Sequence, residues 1–279
     1  MMDKNIVWIA SYPKSGNTWV RSVLSSLFYT DDGNFNFNTL KKINTFDRPL
    51  YFDEVTKEKK ISTYDLTTLA KLRIKAQKIF NKKNTLKFFK THAANIKIDG
   101  HDYTNQETTK CAIYIVRDPR DVVLSYSKFS GLKIDDVVKI IKDEKFTVKN
   151  KENQYFTHWS RWDYHVSSWL IPNYPKIVIK YEDMIDKPMQ TIMQLIIFLK
   201  SFGVEGAFKD QKIINVTKST NFTNLKKMET ELGFEESIYG TKFFNVGKKN
   251  QWKKDLSIEH AQDIEKSFAE TMKKFGYLN

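Results

Sequence analysis

"SYPKSGNTW", residues 11–19, separates an apolar run, "NIVWIA" (5–10), from a stretch of helical period, "TWVRSVLSSLFY" (18–29). A strand, a loop and a helix in that order direct backbone N–H groups at the loop, because the first helical turn has amides without intrahelical partners and sits at the positive end of the dipole. Such a turn attracts an anion. The nucleotide-binding P-loop reads GxxxxGK[ST]; here Ser11 stands for its first glycine and Asn17 for its lysine, while Gly16 and Thr18 keep their places and Lys14 lies inside the loop. No metal-holding carboxylate accompanies the loop, which argues against metal-assisted γ-phosphoryl chemistry.

Outward from the loop, β-branched and aromatic runs alternate with stretches of helical period, the pattern of a parallel sheet with crossover helices. Further strands are expected at "LKFFK" (86–90), "CAIYIV" (111–116) and "KIVIKY" (176–181). Helices are expected at 65–80, 119–129, around the Trp-rich stretch 158–170, at 188–202, and in the final segment 257–278. The polar stretch 30–64 reads as a loop with a short helix, a candidate lid, and the last eighty residues as long loops before the final helix. The expectation is therefore an α/β chain: a single domain, 1–279, with a central parallel β-sheet flanked by helices and a P-loop-like loop after its first strand.

The chain has 279 residues, 41% of them hydrophobic, enough to bury a sizeable core. It contains no apolar run long enough to span a bilayer, and its N-terminus is too acidic and too soon broken by Pro13 to be a signal peptide, so a cytoplasmic protein is expected. The single cysteine, Cys111, lies in an apolar strand and reads as a buried thiol. A net charge of +13 invites an anionic partner, but the lysines are spread along the chain. No helix-turn-helix, zinc or RNA-binding signature is present, so no nucleic-acid partner is expected. No metal is expected either, because no histidine, cysteine and carboxylate group has ligand spacing.

"YPKSGNTW" (12–19) resembles the 5′-phosphosulfate loop of the cytosolic sulfotransferases, YPKSGTTW, with Asn17 the one difference. The resemblance implies the donor 3′-phosphoadenosine 5′-phosphosulfate (PAPS), Lys14 on its phosphosulfate, Ser15, Gly16, Asn17 and Thr18 cradling it, and Trp19 against the adenine. "IVRDPRDVVLSYSKF" (115–129) resembles the 3′-phosphate signature, with Arg117 at a strand end and Ser125 eight residues on. A guanidinium fork matches a phosphate, and Asp118 with Pro119 supplies the turn between strand and helix. Taken alone, Arg117 has a second reading as an ion pair with Asp121.

"KFFKTHAA" (87–94) resembles the family's KTHLP segment, which implies that His92 is the general base; Lys14, and secondarily Lys90, would stabilise the charge building on the leaving group. A neutral histidine near pH 7 can take an acceptor proton, and a positioned base contributes roughly 10²- to 10⁴-fold. "AA" in place of "LP" alters the loop after the base. His165 resembles a packing histidine of a family helix; His101, His158 and His260 read as surface or structural. "YEDM" (181–184) and "STNFTNLKK" (219–227) resemble adenosine-contacting segments, which implies roles for Tyr181, Thr220 and Phe222. "NVGKKNQWK" (245–253) resembles RKGxxGxWK at Gly247, Trp252 and Lys253 but lacks its arginine; either Lys248 or Lys249 supplies the 3′-phosphate cation from the same loop, or the donor binds more weakly by about one charge-assisted hydrogen bond, ~1.5–3 kcal/mol, or the segment is a lid whose lysines close on the ligand. "KDLSIEHAQ" (254–262) loosely resembles a dimerisation motif, and a monomer or weak homodimer is expected. The implied activity moves a sulfuryl group from PAPS to a hydroxyl or amine of a small-molecule acceptor and releases adenosine 3′,5′-bisphosphate (PAP). In the resembling family the acceptor pocket is built from variable loops, here expected at 30–64, parts of 130–160 and 228–245; the aromatics in and beside them, Phe35, Phe37, Phe129, Phe146, Tyr155 and Tyr239, would line an apolar cavity as readily as they would fill a core. The readings set against this one are a P-loop nucleotide kinase or other phosphotransferase, disfavoured by Asn17, and a nucleic-acid-binding module.

Overall fold

The computed structural model describes residues 4–57, 65–149, 156–237 and 242–279. In chain order these form β1 (Ile6–Ser11), α1 (Asn17–Tyr29), α2 (Phe37–Leu40), β2 (Asn44–Thr45), α3 (Pro49–Thr56), α4 (Leu66–Lys82), β3 (Lys87–Thr91) and β4 (Thr109–Val116). There follow α5 (Pro119–Ser130), α6 (Ile134–Lys142), β5 (Thr147–Lys149), β6 (Phe156–His158), α7 (Trp162–Leu170) and β7 (Lys176–Lys180). The remainder is helical: α8 (Tyr181–Asp186), α9 (Pro188–Ser201), α10 (Asp210–Ser219), α11 (Phe222–Leu232), α12 (Trp252–Asp255) and α13 (Ile258–Lys274).

The chain divides into two compact units, one built from residues up to Tyr12, Ile43–Ile115 and Asp143–Val178, the other from Pro13–Lys42, Val116–Lys142 and Ile179–Asn279. The first carries all but the last residues of β4 and β7 of a sheet of strand order β2-β3-β1-β4-β7. β1 pairs in parallel with β3 and β4, and β2 in parallel with β3. β1, buried along its whole length, forms the centre of the order, as an uninterrupted apolar run in a parallel sheet should. Trp8 anchors the core: its ring meets Phe46, Phe89, Tyr103 and Trp169, and its indole N–H reaches the hydroxyls of Thr104 and Thr109. Gln77 of α4 accepts from Thr104 and Thr108, so this buried polar group is satisfied internally. Cys111 is fully buried in β4, and burial pushes its thiol up to about 12.

In the second unit α1 packs against α2 and α10, and α9 against α8 and α10. α5 starts at Pro119 behind the Asp118 cap, whose side chain accepts the Arg120 N–H at 3.0 Å. Arg120 is buried and held by Asp118, by Glu265 and by the Tyr277 carbonyl at 2.8 Å, with its guanidinium 3.6 Å from the Trp252 ring centre. α13 begins at a Ser257 cap and departs from helical geometry at Phe268.

The expected parallel α/β architecture is present, and the four expected strands appear as β1, β3, β4 and β7. Several local expectations differ. Tyr181 opens α8 instead of closing a strand, the stretch from 158 begins as β6 with α7 starting at Trp162, and 30–57 holds two helices and β2. The region read as long loops contains α10 and α11. Residues 58–64 of the candidate lid, and Tyr155 and Tyr239, lie outside the described residues. No described helix is long and apolar enough to cross a membrane.

Candidate active site

The residues singled out in sequence fall into two groups, one in each unit. In the second unit, the loop after β1 turns through two positive-φ residues, Lys14 (65°) and Gly16 (103°), and Gly16 is the N-cap of α1. The helical ladder begins with Val20 N–H on the Gly16 carbonyl at 3.2 Å, which leaves the amides of the preceding turn outside it. No acidic residue stands in that turn to satisfy them. Ser15 is fully buried and its Oγ has no hydrogen-bond partner among the described residues.

Arg117, 4% exposed at the end of β4, closes on this loop: Nη1 donates to the Lys14 carbonyl at 3.0 Å and Nη2 to the Lys248 carbonyl at 3.3 Å. Its guanidinium carbon lies 4.1 Å from the ring centre of Tyr181, which meets Trp19 edge-on at 5.9 Å. Its Nε is buried and has no hydrogen-bond partner among the described residues. Asp121 lies only within 4.0 Å of Nη2 and spends its oxygens elsewhere, on the amides of Asn250 (2.8 Å) and Trp252 (3.0 Å). Burial raises its pKa, with Arg117 opposing. The ion-pair reading of Arg117 is thus the lesser part of its surroundings. Ser125 is half-buried in α5.

Gly247 has a φ of 64° and lies so close to Phe222 that a Cβ there would stand 2.2 Å from the ring. The segment before it is held by Glu229 of α11, a buried carboxylate that accepts from the amides of Phe243 (2.6 Å) and Phe244 (2.9 Å) and the Ser237 hydroxyl (2.7 Å). Lys249 is engaged by Asp186, whereas Lys248 is exposed. Thr220 is buried with its hydroxyl on the Val216 carbonyl at 2.8 Å. The Lys14 ammonium lies 3.8 Å from the Phe129 ring centre and 4.2 Å from that of Phe243. Thr18 donates to Glu236 at 3.3 Å, and the same carboxylate takes Arg21 at 2.6 Å.

In the first unit, β3 ends at Thr91 and delivers His92 beside the end of β1. His92 Nδ1 lies 2.9 Å from the Ser11 carbonyl and 3.3 Å from the Ser11 hydroxyl. A carbonyl only accepts, so Nδ1 carries the proton and, in the neutral ring, Nε2 carries the lone pair. That is the tautomer a base acting through Nε2 requires. Lys90 sits two residues earlier in β3, in register with Ile9 and Thr45. His165 is fully buried in α7, and burial depresses its pKa to about 3. His158 is half-buried and depressed by burial, and His260 is bonded to Asp135.

One unit therefore gathers Lys14, Ser15, Gly16, Thr18, Trp19, Arg117, Tyr181, Phe222, Gly247 and Lys248; the other holds Ser11 with His92. The sequence did not reveal the contact of Ser11 with His92, nor the bonds of Asp121 to the amides of Asn250 and Trp252, nor Glu229 and Glu236, whose partners are remote along the chain. Among the described residues, no group of three or more His, Cys, Asp or Glu is placed to hold a metal. The buried Ser15 Oγ and Arg117 Nε, at the open turn of α1, fit an anionic group with phosphate oxygens.

Residues 4–276 match the family model described as the sulfotransferase domain. The amine sulfotransferase of Oryctolagus cuniculus is 22% identical over 96% of this chain and 81% of its own length. Cytosolic sulfotransferase 13 of Arabidopsis thaliana is 23% identical over 97% of this chain and 77% of its own. Among solved structures, retinol dehydratase in complex with androsterone and the inactive cofactor PAP superposes with a TM-score of 0.61 at 17% identity, covering 98% of this chain and 82% of that one. Mouse sulfotransferase SULT7A1 complexed with PAP gives 0.58 at 17% identity, over 98% and 84%. At these identities the structural likeness speaks for the fold.

Proposed function

We propose, from the premise that this chain belongs to the sulfotransferase domain family and is a PAPS-dependent sulfotransferase, that it sulfurylates a hydroxyl or amine of a small-molecule acceptor, with His92 as base and Lys14 at the leaving phosphate. The observation that carries the reading is the donor loop: Arg117 ties Lys14 to Lys248 while Ser15 Oγ and Arg117 Nε, both buried, keep unused hydrogen-bonding capacity. A buried polar atom without a partner costs ~1–3 kcal/mol, and a phosphate oxygen would remove that cost.

When bound, PAPS supplies the sulfuryl group and a phosphate leaving group. His92 Nε2 takes the acceptor proton while Ser11 holds Nδ1–H, so the ring gains a proton without changing its orientation. The Lys14 ammonium leaves its two ring faces for the phosphate oxygens. A charge-assisted hydrogen bond from that ammonium to a phosphate oxygen is worth ~1.5–3 kcal/mol. Lys90 adds positive charge for the same purpose. Arg117, Ser125 and Lys248 hold the 3′-phosphate, with Lys248 supplying the charge that Asn245 and Val246 do not. Trp19, Tyr181, Thr220 and Phe222 frame the adenine. The acceptor class is a hydroxyl or amine on a largely apolar body, in keeping with the half-exposed rings of Phe37, Phe129, Phe234 and Phe243. The sulfotransferase domain spans nearly the whole chain, and the protein works in the cytoplasm as a monomer or weak dimer.

Thermal denaturation with nucleotides tests the reading. PAP at saturating concentration raises Tm, and equal ATP with magnesium raises it much less; equal stabilisation by both would overturn the donor-site assignment.

A further inference from the structure

The base is held from behind as well as from the side. The His92 carbonyl accepts from His165 Nε2 at 3.2 Å. That nitrogen must therefore carry the proton, and Nδ1 of the neutral ring must accept, here from the Tyr114 hydroxyl at 2.9 Å. The relay thus has one direction: Tyr114 O–H to His165, His165 N–H to the main chain of His92. Both rings are buried, and Tyr12 closes the imidazole edge-on at 5.3 Å. Burial keeps the ring neutral at ordinary pH, the state the relay needs. Adjacent main-chain groups are held in the same way: Ala93 N–H by Thr91 Oγ1 at 3.0 Å, Ala93 C=O by the Trp169 indole at 2.9 Å, and Ala94 N–H by the His158 carbonyl at 2.8 Å.

We infer that His165 and Tyr114 are positioning residues for the transfer reaction: by fixing the His92 carbonyl through a one-way relay, they aim the His92 ring so that Nδ1 meets Ser11 and Nε2 points away from β1. The inference rests on the reading of His92 as the base. It goes beyond packing, because an apolar side chain of similar size would fill the same space without holding the carbonyl. Misplacing a catalytic group by an ångström costs up to ~10²-fold in rate, and the carbonyl is the anchor nearest the ring.

The test compares His165→Leu, His165→Gln and Tyr114→Phe by steady-state kinetics, PAP affinity and heteronuclear NMR of the imidazole nitrogens. His165→Leu lowers kcat by ~10- to 100-fold with PAP affinity within about twofold of the parent, and His92 changes from one tautomer, protonated on Nδ1, to a mixture. His165→Gln, whose amide N–H stands where Nε2–H does, recovers most of the loss. Tyr114→Phe leaves His92 bonded but lets the His165 tautomer mix, with a smaller loss of kcat. An unchanged kcat and an unmixed His92 signal in His165→Leu would overturn the inference, as would His165→Gln behaving like His165→Leu. If His165→Leu shows no PAP-induced rise in Tm, the comparison passes to His165→Gln against His165→Asn, whose shorter side chain falls short of the carbonyl; equal kcat in these two would overturn it. Should His92→Ala retain transfer, the base assignment fails, while the tautomer measurement still judges the positioning separately.

Discussion

Arg117→Lys keeps the charge at the donor loop and removes the fork. The guanidinium now makes two directed bonds, to the carbonyls of Lys14 and Lys248 at 3.0 and 3.3 Å, and covers the Tyr181 ring while Nε stays in reserve. A lysine ends in one nitrogen and cannot bridge both carbonyls and a phosphate. The variant therefore loses at least one charge-assisted hydrogen bond on binding, ~1.5–3 kcal/mol, or ~10- to 150-fold in Kd. Isothermal titration with PAP measures this directly, and adenosine 5′-phosphate, which lacks the 3′-phosphate, serves as the control. The loss should be confined to PAP, with the control changing by less than about threefold. Equal losses for both nucleotides would show that Arg117 acts only by shaping the loop; no loss for either would remove it from the donor site.

Three further outcomes follow from particular contacts. Gly247→Ala forces an L-residue to a φ of 64° with its Cβ 2.2 Å from the Phe222 ring, a combination costing ~2–5 kcal/mol; PAP should bind at least tenfold more weakly, and wild-type affinity would place this contact outside the donor site. Glu236→Gln removes a carboxylate from Thr18 and Arg21 and should tighten PAP by about two- to fivefold at low salt and less at high salt; calorimetry at two ionic strengths checks both. His165 is depressed to about 3 in the fold against ~6.5 unfolded, so between these values the unfolded chain binds more protons; its share of stability is intact above pH ~6.5 and is lost as pH falls toward ~3. The Tm of His165→Gln should accordingly fall less steeply than the parent's from pH ~6.5 to 4.5; parallel curves would mean that the imidazole is not held neutral.

Much of this was legible in the order strand, loop, helix. Residues 5–29 announce β1, the anion-binding turn and α1 because the apolar run and the helical period meet at Gly16, whose positive φ the turn requires. The helices α10 and α11 were not legible, and Glu229 shows why: it lies four residues after buried Leu225, where a core residue is expected, but is a carboxylate bonded to the amides of Phe243 and Phe244. The period is broken in letters although the face is buried. β2 and the β5–β6 hairpin have two or three residues per strand, too few for alternation to register. Asp121 could be seen only as a neighbour of Arg117, because its hydrogen bonds lie more than a hundred residues away in the chain. The tautomer of His92 depends on the main-chain carbonyl of Ser11, a group every residue has and no letter reveals. Asn17, the one departure from YPKSGTTW, is buried at the first turn of α1, and nothing in the structure explains why asparagine replaces threonine.

The role proposed for His92 is to take the acceptor proton in a transfer from PAPS. Its most direct measurement is transfer of labelled sulfate from PAPS to a panel of phenols, alcohols and amines, run with the parent and His92→Ala, with PAP affinity measured on both. Labelled product is expected from the parent and none above background from His92→Ala, whose PAP affinity stays within about threefold; transfer by His92→Ala at the parent rate would refute that role.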